Sequence, residues 1–427
     1  MPVTKSIGSQ KLWKRLYFYS LFFFVALLPF QPKWLPLTLG MMFFGLCWLL
    51  STDYKNKLEV LGRNKMAGLF FIYFLWVVIG AFYTPAPGEA EKDLVMKLPF
   101  AVWPLVLGSL FLFSDKDKRK LLRLFILASV LSILTCFIFA FGAFMNTADI
   151  QEFFFTNLVD YKVLPPHYLG MYLSFCYGCL LYNGLRKNYF FGRSVDVLML
   201  VILAVGIVFI SVRIQYVAFL LLNCWIFFTF IYHRSGAFKA VSGLLLVLLV
   251  FGSLTWAFPG SRHRIRDTYN EIVSFKSTVN QKQTNHRKFL WTEGWEVVQE
   301  NWLLGTGTGA AKGALQVKLQ DNDAKFWDGH DVYYLRDRNY NFHNVYLEHW
   351  ANHGIIGFII LLAIIILPLF APGQAEGKIF LLICAVSFST ESMLERQAGV
   401  LFFSFFYTMF FMLPSGSKHQ NGQQHIK

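Results

Sequence analysis

The sequence predicts an all-α, polytopic membrane protein. Of its 427 residues, 56% are hydrophobic and only 15% are charged, whereas a soluble domain is typically about 25% charged. Many apolar runs are close to the ~20 residues that a helix needs to cross a bilayer. These observations predict about twelve transmembrane helices. They also predict a large, mainly helical outward loop between helices nine and ten.

The predicted helices follow the apolar runs in chain order. Basic residues precede the first run, and no small-residue cleavage site follows it. We therefore interpret this run as a retained signal-anchor helix rather than a cleaved signal peptide. The runs cover residues 16–31, 33–51, 66–84, 97–114, 121–144, 167–184, 195–212, 214–232, 239–258, 354–371, 378–394 and 398–413.

The basic residues predict the orientation of these helices. The formal net charge is +14, and Lys and Arg concentrate in the N-terminus, in every second gap between the runs, and in the C-terminal tail. Positive charge favours the cytoplasmic side of a membrane. Both termini are therefore predicted to be cytoplasmic. Because these positive charges are not clustered on one soluble domain, nucleic-acid binding is not expected.

Four regions follow from this topology. Residues 1–258 are predicted to form an N-terminal bundle of about nine transmembrane helices. Residues 259–353 form the outward loop, in which the segment from Trp291 to Trp302 has the apolar spacing of an amphipathic helix. Residues 354–414 form the C-terminal transmembrane helices, and residues 415–427 form a polar cytoplasmic tail.

Two arginines are candidates for binding an anion. Arg213 lies in a short gap between two apolar runs, so its guanidinium must sit near the outer membrane boundary, where it could equally contact lipid headgroups. Arg287 lies at the start of the predicted amphipathic helix, where the helix dipole adds to its charge. A solvated charge cluster is the alternative there.

His343 is the candidate general base. It lies about ten residues before the apolar span that starts near Gly354, and a neutral imidazole can accept a proton from a hydroxyl near neutral pH. An ordinary surface histidine is the alternative. No Ser/Asp arrangement accompanies it, so hydrolysis by a catalytic triad is not predicted.

Two further motifs have structural interpretations. Leu-Leu-Gly-Thr-Gly-Thr-Gly, ending at Gly309, lacks the spacing of a phosphate-binding loop and predicts a flexible turn after a helix. Glu391, Glu395 and Arg396 lie in the last outward turn, where mutual pairing that caps two helices is the favoured interpretation.

These motifs together resemble the O-antigen ligase and polymerase superfamily. The block Phe-His-Asn-x-Tyr-Leu-x-x-Trp-x-x-x-Gly-Ile-Ile-Gly, which includes His343, carries the strongest resemblance. The arginine between two late helices and the Leu-Leu-Gly-x-Gly motif add to it. The resemblance is specific over residues 201–369 and rests on topology before them. The family usually has Ser-Arg at the first arginine site, whereas this chain has Ser-Val-Arg213.

The resemblance implies a membrane glycosyltransferase of the GT-C kind. Such enzymes of the bacterial inner membrane move a glycan from undecaprenyl diphosphate to an acceptor on the periplasmic face. It implies that Arg213 and Arg287 bind the diphosphate, that His343 is the base, and, by a looser correspondence, that Arg396 assists. It also implies inversion at the anomeric carbon with no metal and no cofactor. The favoured acceptor is lipid A–core, which makes the enzyme an O-antigen ligase active in lipopolysaccharide biosynthesis.

Three alternatives stay open. A polymerase that joins repeat units and a protein O-oligosaccharyltransferase use the same donor with other acceptors. A secondary transporter fits the number of helices equally well. However, the sequence has no inverted repeat, no paired broken helices and no acidic residues in mid-helix positions, which such transporters use.

Overall fold

The computed structural model describes residues 7–30, 37–51, 54–110, 113–159, 164–275, 286–321, 325–327, 332–334, 339–371 and 373–413. The basic residue Lys5 and the predicted polar tail, residues 415–427, lie outside the described part.

Each of the twelve predicted apolar runs contains a helix. The helices are α1 Ile7–Leu27, α2 Leu37–Leu50, α3 Tyr54–Gly62, α4 Lys65–Tyr83, α5 Pro87–Lys97, α6 Pro99–Val106, α7 Asp115–Thr147, α8 Phe155–Val159, α9 Pro166–Leu185, α10 Arg193–Ile210, α11 Arg213–Ile226, α12 His233–Ala257, α13 Pro259–Phe275, α14 His286–Glu300, α15 Ala311–Asp321, α16 Val345–Ile366, α17 Ala375–Phe388 and α18 Gln397–Phe411. A π-helical segment, Phe227–Tyr232, joins α11 to α12, and short 3₁₀ segments cover Ile150–Phe153, Leu367–Phe370 and Met393–Glu395. Two three-residue strands, β1 Lys325–Trp327 and β2 Val332–Tyr334, form an antiparallel hairpin that the sequence patterns did not predict.

Six helical segments in the described residues are long and apolar enough to cross a membrane. They are Lys65–Tyr83, Asp115–Thr147, Arg193–Ile210, Arg213–Tyr232, Gly236–Ala257 and Val345–Phe370. Three shorter apolar helices cover Arg15–Leu27, Leu39–Leu50 and Gln397–Met412. These features support a multi-pass membrane protein.

Two predicted runs are helical over only part of their length. The run at 97–114 forms only the eight-residue α6. Pro104 lies inside that helix and has no backbone N–H to extend the ladder. The run at 378–394 was predicted too long, because α17 ends at Phe388. The chain then makes a buried turn that includes Glu391.

Hydrogen bonds join several of the gaps to distant parts of the chain. Asn64 donates to the carbonyl of Met412 at 2.7 Å and Lys118 donates to that of Leu413 at 3.2 Å. Asn64 and Lys118 belong to gaps that are rich in basic residues, and both bond to the end of the last run. Elsewhere, Thr84 donates to the carbonyl of Thr308 at 2.9 Å. The orientation predicted from charge stays a prediction.

The last helix, α18, lies at the centre of the bundle. Most of its residues are buried on every side, as expected for a helix that is apolar all round. Phe402 stacks on Tyr172 of α9 with a centroid distance of 4.3 Å, and Phe406 packs edge-on against Phe125 of α7 at 4.7 Å. The preceding turn, which carries Glu391, is thus attached directly to the core.

The segment between α12 and α16 has its own small core. Leu290 and Val297 of α14 pack with Leu315 of α15 and with Phe342. Gly294 allows this packing, because a Cβ there would lie 2.8 Å from the ring of Phe342. The prediction of a helix over Trp291–Trp302 is confirmed up to Glu300. The segment can therefore hold side chains in fixed positions above the apolar helices.

The Leu-Leu-Gly-Thr-Gly-Thr-Gly motif is not the flexible turn that was predicted. Its backbone bonds to two helices: Thr306 N–H donates to Ala351 at 2.8 Å, and Thr308 N–H donates to Gly80 at 3.1 Å. Gly354, which breaks α16 with φ of +65°, allows this approach because a Cβ would overlap the carbonyl of Leu303. The motif therefore clamps α4 to α16.

Candidate active site

The carboxylate of Glu391 joins two of the residues singled out from the sequence. Its Oε2 lies 2.9 Å from Nδ1 of His343, and its Oε1 pairs with Nη2 of Arg287. Nε2 of His167, the second residue of α9, lies 3.4 Å from the same Oε1. We call Glu391, His343, Arg287 and His167 the Glu391 cluster. In this cluster the candidate base, His343, and a candidate anion-binding residue, Arg287, contact the same carboxylate.

The carboxylate is buried more deeply than the groups around it. The Glu391 side chain is 11% exposed, whereas those of His343 and Arg287 are each 24% exposed. Burial alone would raise the pKa of Glu391. The hydrogen bond to His343 and the neighbouring positive charges outweigh burial and lower that pKa from 4.5 to about 2. Glu391 is therefore ionised at neutral pH.

An ionised Glu391 fixes the state of the imidazole beside it. A carboxylate can only accept hydrogen bonds, so Nδ1 of His343 must carry the proton in their 2.9 Å contact. In the neutral ring, Nε2 is then the basic nitrogen. Glu391 also stabilises the imidazolium that forms when Nε2 takes a proton.

The backbone around His343 is held from both sides. Phe342 is fully buried, and its carbonyl accepts a hydrogen bond from Nε1 of Trp291 at 3.0 Å. Asn341 Oδ1 accepts the N–H of His343 at 3.1 Å, while Asn344 caps α16 by accepting the N–H groups of its second and third residues. His343 itself has φ of +46°. A non-glycine residue persists in this conformation only where its surroundings fix it.

Arg287 reaches the cluster from the first turn of α14. Leu290, one turn later, is fully buried in the small core, so the start of the helix is anchored. The side chain of Arg287 then extends to Glu391, 104 positions along the chain. Glu391 contacts one edge of a guanidinium that carries five N–H donors in a planar fork.

Arg213 begins α11 at a tight elbow near the same end of the bundle. Ser211 ends α10 with φ of +54°, and the Val208 carbonyl accepts hydrogen bonds from Ser211, Tyr216 and Ser261. Gln215 donates to Ser387 at 2.9 Å, four positions before Glu391. This bond joins the first turn of α11 to the end of α17, which precedes the Glu391 turn, and Arg213 is half-buried. It is not among the partners of the Glu391 carboxylate.

Arg396 is not part of the cluster. It precedes α18, and its residue is exposed. Among the described residues, its guanidinium makes no hydrogen bond or ion pair with Glu391. The neighbouring Glu395 instead accepts a hydrogen bond from Asn341, the residue that holds the backbone of His343. The favoured interpretation of this turn as a mutually paired cap is therefore wrong for Glu391 and Glu395.

Sequence patterns missed Glu391 and His167 as members of the site. The pair is brought to His343 only by tertiary packing, and no local spacing indicates it. The available signal in the sequence was the acidic residue Glu391 in the last outward turn, because a carboxylate at the edge of a membrane needs a polar or charged partner.

The helices and the family comparison together support one class of protein: a membrane glycosyltransferase of the ligase/polymerase type. Residues 198–362 match the family model described as O-antigen ligase. This match confirms the resemblance to the O-antigen ligase superfamily, and the matched segment contains Arg213, Arg287 and His343, but not Glu391. No curated protein matches the chain.

Proposed function

We propose that this protein transfers a glycan from undecaprenyl diphosphate to an acceptor hydroxyl, and that lipid A–core is the acceptor. The observation that carries the proposal is the shared carboxylate, which sets the base His343 beside the cation Arg287. The family match covers both residues. The proposed site faces the periplasm, in a chain of about twelve helices that cross the inner membrane and have cytoplasmic termini.

The chemistry follows from this arrangement. The acceptor oxygen attacks the anomeric carbon of the donor sugar while Nε2 of His343 takes its proton. The bond between that carbon and the diphosphate oxygen breaks, and the electron pair leaves with the diphosphate. Attack from the face opposite the leaving group inverts the anomeric carbon.

The leaving diphosphate gains negative charge as this bond breaks. Arg287 and Arg213 are proposed to neutralise it, because guanidinium groups bind phosphate oxygens in a bidentate manner and remain charged at all accessible pH values. Fixed cations at the place where charge develops lower the barrier without reorganisation. Since these residues supply the positive charge themselves, the proposed reaction needs no metal. Arg396 is proposed only as an accessory contact for the donor.

A strain lacking this protein tests the assignment of ligase against polymerase. If the protein is a ligase, polymer should accumulate on the carrier lipid and be absent from lipid A–core. Adding back the wild-type gene product should reverse both effects. Single repeat units attached to core would instead assign a polymerase. Unchanged lipopolysaccharide together with loss of glycan from secreted proteins would assign a protein O-oligosaccharyltransferase.

Donor binding tests the arginines separately. Arg213→Ala and Arg287→Ala should each weaken binding of undecaprenyl diphosphate by at least about tenfold, the loss expected for one charge-assisted contact. The exposed Arg266→Ala is the matched control and should stay within about twofold of the wild type. Equal affinities in all three variants would remove both arginines from the donor site.

A further inference from the structure

A polar cavity lies close to the Glu391 cluster. It has a volume of about 410 Å³ and is bounded by the segment 151–157, by Ser211 and by the first residues of α13. We call it the Arg264 pocket. Its polar lining comes from Gln151, Thr156, Asn157, Ser211, His263 and Arg264. The volume lies within the roughly 300–1,000 Å³ that small-molecule sites occupy.

The pocket adjoins two parts of the proposed donor site. Ser211, in its wall, is two positions before Arg213. On another side, the guanidinium of Arg264 stacks 3.6 Å from the ring centroid of Phe155, whose ring packs edge-on against His167 at 5.9 Å. His167 in turn contacts Glu391. The pocket is therefore linked to Arg213 through Ser211 and to the Glu391 cluster through Arg264, Phe155 and His167.

The walls of the pocket are packed into the bundle. Gly260 lies so close to Phe154 that a Cβ would overlap that ring, and Phe154 stacks on Phe209 of α10 at 5.1 Å. Ser211 and Ser261 are joined by a buried 3.0 Å hydrogen bond. These contacts preform the cavity, which reduces the entropy lost when a ligand binds.

The lining combines one permanent cation with neutral donors and acceptors. The amides of Gln151 and Asn157 and the hydroxyl of Thr156 can both donate and accept hydrogen bonds, as sugar hydroxyls require. Phe154 and Phe155 supply apolar ring surface. Arg264 adds a fork suited to a phosphate oxygen. The chemistry matches a sugar bearing a phosphate better than an uncharged lipid tail.

We propose that the Arg264 pocket binds the first sugar of the lipid-linked donor, the one attached to the diphosphate, with Arg264 contacting the adjacent phosphate. This inference rests on the proposed function. It gives the pocket the task of orienting the anomeric carbon between His343 and the arginines, and of selecting the sugar at that position.

Binding to the purified full-length protein in detergent tests the pocket. Two probes are compared: bare undecaprenyl diphosphate and an undecaprenyl-diphosphate-linked glycan. Asn157→Ala should weaken binding of the glycan-linked probe about three- to tenfold and leave the bare probe unchanged, because one neutral hydrogen bond is lost. Arg264→Ala should weaken both probes by at least about tenfold, since it removes a charge-assisted contact.

Arg266→Ala is the matched control, because it removes the same charge from an exposed position two residues further along α13. It should bind both probes within about twofold of the wild type. If Asn157→Ala does not fold, as judged by its elution and melting temperature, Thr156→Ala is tested by the same criterion. Asn157 and Arg264 variants that bind both probes as the Arg266 variant does would overturn the inference.

Two other outcomes distinguish a failure of the proposed function from a failure of the pocket inference. A wild-type protein that binds neither probe would contradict the proposed function itself. Phosphatidylglycerol shares the phosphate and the hydroxyls, so it is tested as a third probe. If its binding is lost in the Asn157 and Arg264 variants while glycan binding is retained, the pocket is a phospholipid headgroup site and the inference is wrong.

Discussion

Replacing Glu391 with glutamine changes the shared carboxylate while conserving its shape. The carboxylate presents one oxygen to His343 and the other to Arg287, and both partners donate. Glutamine has a single oxygen, so its NH₂ group must face one of these donors. Either His343 loses the acceptor that orients Nδ1, or Arg287 faces another donor.

The size of the effect follows from the hydrogen bond that the substitution removes. A hydrogen bond to a charged group contributes about 1.5–3 kcal/mol, and the 2.9 Å contact from His343 to the 11%-exposed carboxylate is of this kind. Since about 1.4 kcal/mol corresponds to a tenfold change in rate, kcat/KM should fall roughly 10- to 150-fold. If the amide oxygen of the glutamine faces His343, its NH₂ group faces Arg287, and the KM for the donor should rise. If the oxygen faces Arg287 instead, His343 loses its acceptor and kcat should fall.

The assay is transfer from a lipid-linked glycan by purified protein, with kcat and KM measured separately. Glu300→Gln is the matched control, because this exposed carboxylate on α14 pairs only with Lys318 among the described residues and should leave both constants within about twofold. Glu391→Asp keeps the charge and should retain more activity than the glutamine variant. A folded Glu391→Gln protein with wild-type kcat/KM would refute the proposed role of the carboxylate.

Three further predictions concern the framework of the site. Asn344→Ala removes the cap of α16 and should lower stability by about 1 kcal/mol and reduce transfer, with Asn344→Asp retaining both; equal unfolding midpoints would contradict the cap. Gly354→Ala should cost about 3 kcal/mol, because φ of +65° and the Leu303 carbonyl leave no place for a Cβ; a wild-type unfolding midpoint in detergent would argue against the clamp. Because the pKa of Glu391 is lowered from 4.5 to about 2 in the fold, its charge stabilises the fold fully above about pH 4.5, and this stability is lost as the pH falls towards 2. The melting temperature of the wild type should thus fall more over this interval than that of Glu391→Gln, and parallel curves would contradict it.

The helices were predictable because their signal is local. Apolar length and alternating basic gaps identified a helix in each of the twelve runs. The predicted helix boundaries were wrong where a helix-breaking residue or a tertiary contact ended the helix early, as near Pro104 in α6. The glycine motif was interpreted as flexible because its partners, the carbonyls of Gly80 and Ala351, lie far away along the chain.

The site was predictable in its local motifs and not in its connections. His343 and Arg287 stood out by position and residue type, and the structure brings both to one carboxylate. The identity of that carboxylate was hidden, because Glu391 lies 48 positions after His343 and its nearest basic neighbour in sequence, Arg396, offered a simpler pairing. Only the packing of the Glu391 turn against α9, α14 and the start of α16 selects its true partners.

The most direct test of the central claim is the product formed by the purified protein from an undecaprenyl-diphosphate-linked glycan and a lipid A–core acceptor, measured by mass spectrometry. The wild type should yield acceptor extended by the glycan with the anomeric configuration inverted, and His343→Ala, folded and still binding donor, should yield none. Undiminished product from His343→Ala would contradict the assignment of the base, and with it the account of the Glu391 cluster as the catalytic site.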